Sequence, residues 1–82
     1  MGEKQAKVSE ELVIRLRMLE VGKYYSTKQI ADKWGLSKVS ARAFLRYWEK
    51  RGIFFSSIRG WWKIGLLGEV ILQEVSKWPG IE

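Results

Sequence analysis

The stretch from Gly35 to Gly52, GLSKVSARAFLRYWEKRG, leaves the chain few options. Ala41, Phe44, Leu45 and Trp48 recur at i, i+3, i+4 and i+7, the spacing of one buried stripe on a helix. Lys38, Arg42 and Arg46 recur every four residues on another face, with Val39, Ala43 and Lys50 beside them. Ser37 is placed to cap the N-terminus by accepting a backbone N–H, and Gly52 suits the left-handed residue that ends a helix. The rest of the chain must therefore supply a core for the first stripe. Taken alone, the basic stripe reads as a solvated charged face. Its surroundings give it a different meaning.

Upstream, Ser9 reads as an N-cap with Glu10 and Glu11 in the first helical turn, where the helix dipole favours negative charge. Leu12, Val13, Leu16, Leu19 and Met18 predict an apolar face running through Val21, with Gly22 as the stop; Met1–Val8 is polar and reads as a flexible N-terminus. Lys23-Tyr24-Tyr25 is too short for a helix and predicts an extended piece or a single short strand. Ser26-Thr27-Lys28-Gln29 matches the capping box that starts a helix, Ile30, Ala31 and Trp34 give that helix its apolar face, and Gly35 ends it. A helix of little more than two turns does not persist alone, so it must dock on its neighbours.

Downstream of Gly52 the period changes. Ile53–Ser57 and Trp61–Ile64 are aromatic and β-branched runs, and Ile58-Arg59-Gly60 between them predicts a three-residue hairpin connection. Ile53 and Phe55 are expected to face inward with Trp62 and Ile64, leaving Phe54, Trp61 and Lys63 outward and Ile58 and Arg59 at the tip. Leu66–Trp78 returns to helical spacing through Leu67, Val70, Ile71, Val75 and Trp78, closed by Pro79-Gly80. Leu66 and Leu72 fall partly outside that stripe, so this helix has more apolar surface than one small core covers. Among the aromatics, Trp34, Phe44, Trp48 and Trp62 read most simply as core, whereas Tyr47, Phe54 and Trp61 are less easily buried.

Composition narrows the chemistry. With 82 residues the chain supports one domain, and it contains neither cysteine nor histidine. Disulfides, thiolate or imidazole metal sites and His-dependent triads are thus unavailable. The one aspartate, Asp32, sits inside a predicted helix without an evident partner. No enzymatic activity, cofactor, metal or small-molecule ligand is expected. The net charge of +6 points to a polyanion. Residues 26–65 hold nine Lys/Arg against Asp32 and Glu49, a net +7, whereas residues 1–25 carry +1 and residues 66–82 carry −2. All the excess lies in the middle, the mark of a binding footprint. No apolar run approaches the roughly 20 residues that span a bilayer, and no signal pattern opens the chain. A cytoplasmic protein without membrane contact is expected. Asn is absent and Gln occurs three times, a depletion of thermolabile residues that goes with thermostability.

The order helix, short strand, helix, turn, helix, β-hairpin resembles the winged helix-turn-helix family over residues 9–65. Ala31, Gly35, Leu36, Ala41 and Phe44 occupy that motif's small, turn, plug and apolar places, with Ile30 and Trp34 in the apolar slots of its first helix. Ala31 lets two helices cross closely, Gly35 permits the positive φ of the turn, and Leu36 fills the gap between them. Leu45 through Trp48-Glu49-Lys50-Arg51-Gly52-Ile53 resembles the family's exit from the recognition helix into the wing, with Trp48 standing where leucine is usual. In size and composition the chain is similar to short regulators of archaea and their viruses or plasmids. The implied fold is α+β and mostly helical, a three-helix core with a β-hairpin wing and an extra C-terminal helix over residues 66–82.

The resemblance implies sequence-specific binding of double-stranded DNA and a role in transcription regulation, in the cytoplasm at the nucleoid, or in the host cytoplasm for a viral protein. The recognition helix would lie in the major groove, with Arg42 reading guanine and Ser37, Lys38, Val39 and Ala43 beside it at the bases. Thr27, Lys28, Arg46 and Lys50 would hold phosphates. The wing, with Ile58, Arg59 and Lys63, would sit on the minor groove or backbone, Arg59 entering the groove. Leu67, Val70, Ile71, Val75 and Trp78 are expected to form a homodimer interface, setting two recognition helices about 34 Å apart. Two alternatives stay open: a non-specific architectural DNA-binding protein, and a winged-helix protein-interaction module.

Overall fold

The computed structural model describes residues 10–75. The expected flexible segment over residues 1–8, the Ser9 cap, Trp78 and the Pro79-Gly80 stop lie outside the described residues. The elements run α1 (Glu10–Arg17), β1 (Tyr25–Ser26), α2 (Thr27–Trp34), α3 (Lys38–Glu49), β2 (Phe54–Ile58), β3 (Trp61–Ile64) and α4 (Leu66–Val75). The described residues thus form a small, mostly helical α+β fold, with four helices and a three-stranded antiparallel sheet in the order β1-β3-β2.

α1 buries Leu12, Val13 and Leu16, as its periodicity predicts, but it stops at Arg17 instead of running to Val21. Met18 N–H and Leu19 N–H each reach back only three residues, to the carbonyls of Arg15 (3.2 Å) and Leu16 (3.0 Å), so the last turn tightens. The next N–H, of Glu20, donates to the Tyr25 hydroxyl at 2.9 Å. The tightening turns Leu19 into the core and leaves Met18 and Val21 exposed. Gly22, at φ +87°, shapes the following turn and does not cap the helix.

The two middle helices form where their caps direct. Ser26 accepts from Gln29 N–H (3.1 Å) while the Gln29 side chain accepts from Ser26 N–H (2.9 Å), a complete capping box. Gly35 closes α2 at φ +71°, and the Ser37 hydroxyl opens α3 by accepting from Ser40 N–H at 3.1 Å. The chain leaves α3 through Gly52 at φ +83°, where Ile53 N–H reaches the Trp48 carbonyl and Gly52 N–H that of Glu49, both at 3.0 Å. That pair of bonds is the Schellman exit. Ala41 and Leu45 are buried, and Phe44 and Trp48 pack against the core from its edge. Trp34 meets Phe44 edge-on at 5.3 Å and donates its indole N–H to the Arg15 carbonyl at 3.1 Å, which ties α1 to α2.

The sheet departs from expectation in three ways, the third at the hairpin tip. First, β1 begins at Tyr25, not Lys23, and pairs with β3, Tyr25 opposite Trp62 and Ser26 opposite Trp61. Tyr25 is drawn in because its ring enters the core while its hydroxyl serves Glu20. Second, Phe54 is the inward residue of β2 and Phe55 the outward one. Ile53 still belongs to the exit from α3, so it and Phe54 both reach the core before strand alternation begins. Phe54 then pairs with Ile64 and packs on Trp34 (6.0 Å) and Phe44 (6.4 Å). Ile58 joins β2 opposite Trp61, past an irregularity in register, leaving Arg59-Gly60 as the tip with Gly60 at φ +83°.

Gly65 alone joins β3 to α4, which packs on α1 and the sheet. Gly65 N–H and Leu67 N–H donate to the carbonyls of Ile53 (2.7 Å) and Gly52 (3.2 Å), so the exit from α3 satisfies the start of α4. Val75 is buried, and Ile71 and Leu72 pack against the core. This corrects the expected dimer stripe: Val75 and Ile71 serve the protein's own core, while Leu66, Leu67 and Val70 stay exposed.

Candidate nucleic-acid interface

Because Ala41 and Leu45 are fully buried, the helical period fixes the outward face of α3. Ser37, Lys38, Val39, Arg42, Ala43 and Arg46 are all exposed, Val39 by 79%. Lys50 is exposed one position past the helix. Among the described residues none of Arg42, Arg46 and Arg59 is held in an ion pair.

Arg42 and Arg46 of α3 line a groove of about 490 Å3 together with Ser56, Arg59, Gly60 and Trp62 of the hairpin. Three arginines, two from α3 and one from the hairpin, thus line one open space. Glu49 lines it too, a residue the sequence reading left unassigned. Its position was recoverable, since Glu49 lies three residues after Arg46 and seven after Arg42 on the same helix face. A carboxylate repels phosphate and can accept from an amino group such as that of cytosine.

The hairpin is fixed to the helices by Thr27. Thr27 N–H and its hydroxyl both donate to the Gly60 carbonyl, at 3.0 and 3.3 Å, and the hydroxyl oxygen accepts the buried Trp62 indole N–H at 2.9 Å. This overturns Thr27 as a phosphate contact. Its side chain is buried, and its donors are spent on holding the Arg59-Gly60 tip beside α2. Thr27→Val keeps the shape but leaves the Trp62 N–H without its acceptor. It is expected to lower stability by about 1–3 kcal/mol in urea unfolding, with Thr27→Ser retaining most of it.

The remaining predicted positions divide. Lys28 is exposed and bridges to Asp32 one turn on, at 3.2 Å. A pair so exposed is worth little and leaves the ammonium free to exchange partners. Ile58 and Lys63 do not enter the groove. Ile58 lines a recess with Tyr24, Ser57 and Trp61, and the Lys63 ammonium stands over the rings of Tyr24 (5.3 Å) and Phe55 (5.6 Å), on the solvent face of the sheet. Tyr47 is exposed, carrying the Arg51 guanidinium 3.9 Å above its ring. Among the described residues no helix is long and apolar enough to cross a membrane. No protein-family model matches the chain, and no curated protein matches it either.

Proposed function

We propose that this chain is a winged helix-turn-helix domain that binds double-stranded DNA sequence-specifically and regulates transcription. The observation that carries this reading is the groove lined by Arg42 and Arg46 of α3 and Arg59 of the hairpin, none of them in an ion pair among the described residues. Its open span sets cations from two separate elements around one space, as a duplex lying between helix and wing requires. In this reading α3 enters the major groove. Arg42, whose planar fork matches guanine O6 and N7, reads a base, flanked by Ser37, Lys38, Val39 and Ala43. Arg46, Lys50 and Lys28 hold phosphates, and Arg59 enters the minor groove. The Ser37 hydroxyl accepts the Ser40 N–H yet keeps its own proton to donate.

The domain acts by binding alone, in the cytoplasm. It does so as a two-fold homodimer whose contact is carried by Leu67 and Val70 with Leu66, the α4 side chains left exposed. A duplex selected from a random pool is expected to be a palindrome with half-sites about one helical turn apart. Titrating salt against that duplex and a scrambled one tests the reading. A specific binder keeps a gap of roughly a thousandfold or more, whereas an architectural protein shows parallel curves of equal affinity.

A further inference from the structure

The sheet has a second face that the duplex reading leaves unused. Register places Phe55 opposite Lys63 and Ile58 opposite Trp61, and Tyr24, which immediately precedes β1, lies beside them with its ring 5.3 Å from the Lys63 ammonium. All four apolar members are open: Ile58 by 64%, Phe55 by 46%, Trp61 by 42% and Tyr24 by 39%. Tyr24, Ile58 and Trp61 enclose a recess of about 230 Å3 in which the polar side chain is Ser57, and the Ser57 hydroxyl lies 3.2 Å from that of Tyr24. The tyrosine ring is thereby held in place.

Charge decides what covers this face. Its central charged group is the Lys63 ammonium, flanked by two rings, with Glu69 of α4 at the edge, lining a recess beside Phe55 and Lys63. A second copy laid face to face would bring two Lys63 ammonium groups into one desolvated layer, which like charges oppose. A polyanion with flat apolar units meets the same face favourably, its bases on the rings and its phosphates near the lysine. Bases in a duplex are already stacked on one another, so the unit that fits is unpaired. We infer that the solvent face of the sheet is a second nucleic-acid site, which binds single strands by stacking bases on Trp61, Tyr24 and Phe55 around Lys63. This site shares no side chain with the arginine groove and stands or falls without it.

The probe is an oligothymidylate of roughly 12 nucleotides, within the span of known aromatic platforms, added to the full chain at low salt. Binding is expected to quench tryptophan fluorescence. Trp61→Ala is expected to weaken it by about tenfold or more, the scale of one lost base stack. Lys63→Gln is expected to weaken it several-fold and to reduce the salt slope by about 0.7. The paired substitution Arg42→Ala and Arg46→Ala should leave it unchanged while weakening duplex binding by about a hundredfold. Phe55→Ser supplies an independent reading should Trp61→Ala lose its circular dichroism signature of folding. The inference is overturned if the oligonucleotide does not bind, if Trp61→Ala and Phe55→Ser both bind normally, or if the arginine pair carries the affinity. It is overturned equally if sedimentation shows a dimer that Trp61→Ala dissociates, for then the face seats a second copy.

Discussion

Replacing Arg42 and Arg46 together by alanine is expected to weaken binding to the selected duplex by about a hundredfold while leaving the thermal midpoint within a degree or two. The two losses differ in kind. A bidentate arginine on guanine discriminates by about 1–3 kcal/mol, so Arg42→Ala alone should erase preference at one base pair. Arg46→Ala should weaken cognate and scrambled duplexes alike and lower the salt slope by about 0.9, the share of one neutralised phosphate. Stability should hold because both side chains are exposed and outside any ion pair among the described residues. Anisotropy titrations at several salt concentrations separate these effects. Undiminished affinity in the double variant would take the helix out of the interface and favour the protein-interaction alternative.

What the sequence made legible here was local. The capping box at Ser26 and Gln29, the Gly35 turn, the Ser37 cap and the Gly52 exit each rest on bonds spanning a few residues, and each is present. The face of α3 followed from its period alone, which is why the exposure of Arg42 and Arg46 could be read beforehand. Misassignments arose where a distant partner decided the outcome. Thr27 opens a helix, where a hydroxyl commonly meets an anion, but Trp62 and Gly60 arrive from 35 and 33 residues away and bury it. Phe54 and Phe55 are equivalent to any local rule; Trp34 and Phe44 select Phe54. The pairing of β1 with β3 was not readable from three residues. Glu49 was readable by spacing, three residues after Arg46 on the same face.

The same dependence on distant partners gives Gly68 the largest expected effect on stability. In a helix interior, alanine is favoured over glycine by about 1 kcal/mol, so propensity alone predicts that Gly68→Ala stabilises α4. Packing reverses the sign. A β-carbon at Gly68 would lie 2.5 Å from the Ile53 carbonyl oxygen and 2.7 Å from Ile64 Cγ2. The carbonyl cannot retreat freely, because it also accepts Gly65 N–H at 2.7 Å, and the neighbouring Gly52 carbonyl accepts Leu67 N–H at 3.2 Å. Relief therefore requires α4 to lift away, uncapping its own start and loosening Ile71, Leu72 and Val75 from the core. Overpacking of this kind costs about 1–3 kcal/mol beyond any propensity gain, and Gly68→Val, larger and β-branched, should cost more. In a chain of this size a net loss of 2 kcal/mol lowers the midpoint by roughly 8–16 °C. Gly35→Ala provides the contrast. Nothing lies within 4 Å of its β-carbon position, so only the penalty of φ +71° remains, about 1–2 kcal/mol. Thermal unfolding should therefore order the proteins as wild type, Gly35→Ala, Gly68→Ala and Gly68→Val, from most to least stable. A Gly68→Ala protein that melts at or above wild type would mean that α4 does not sit against Ile53.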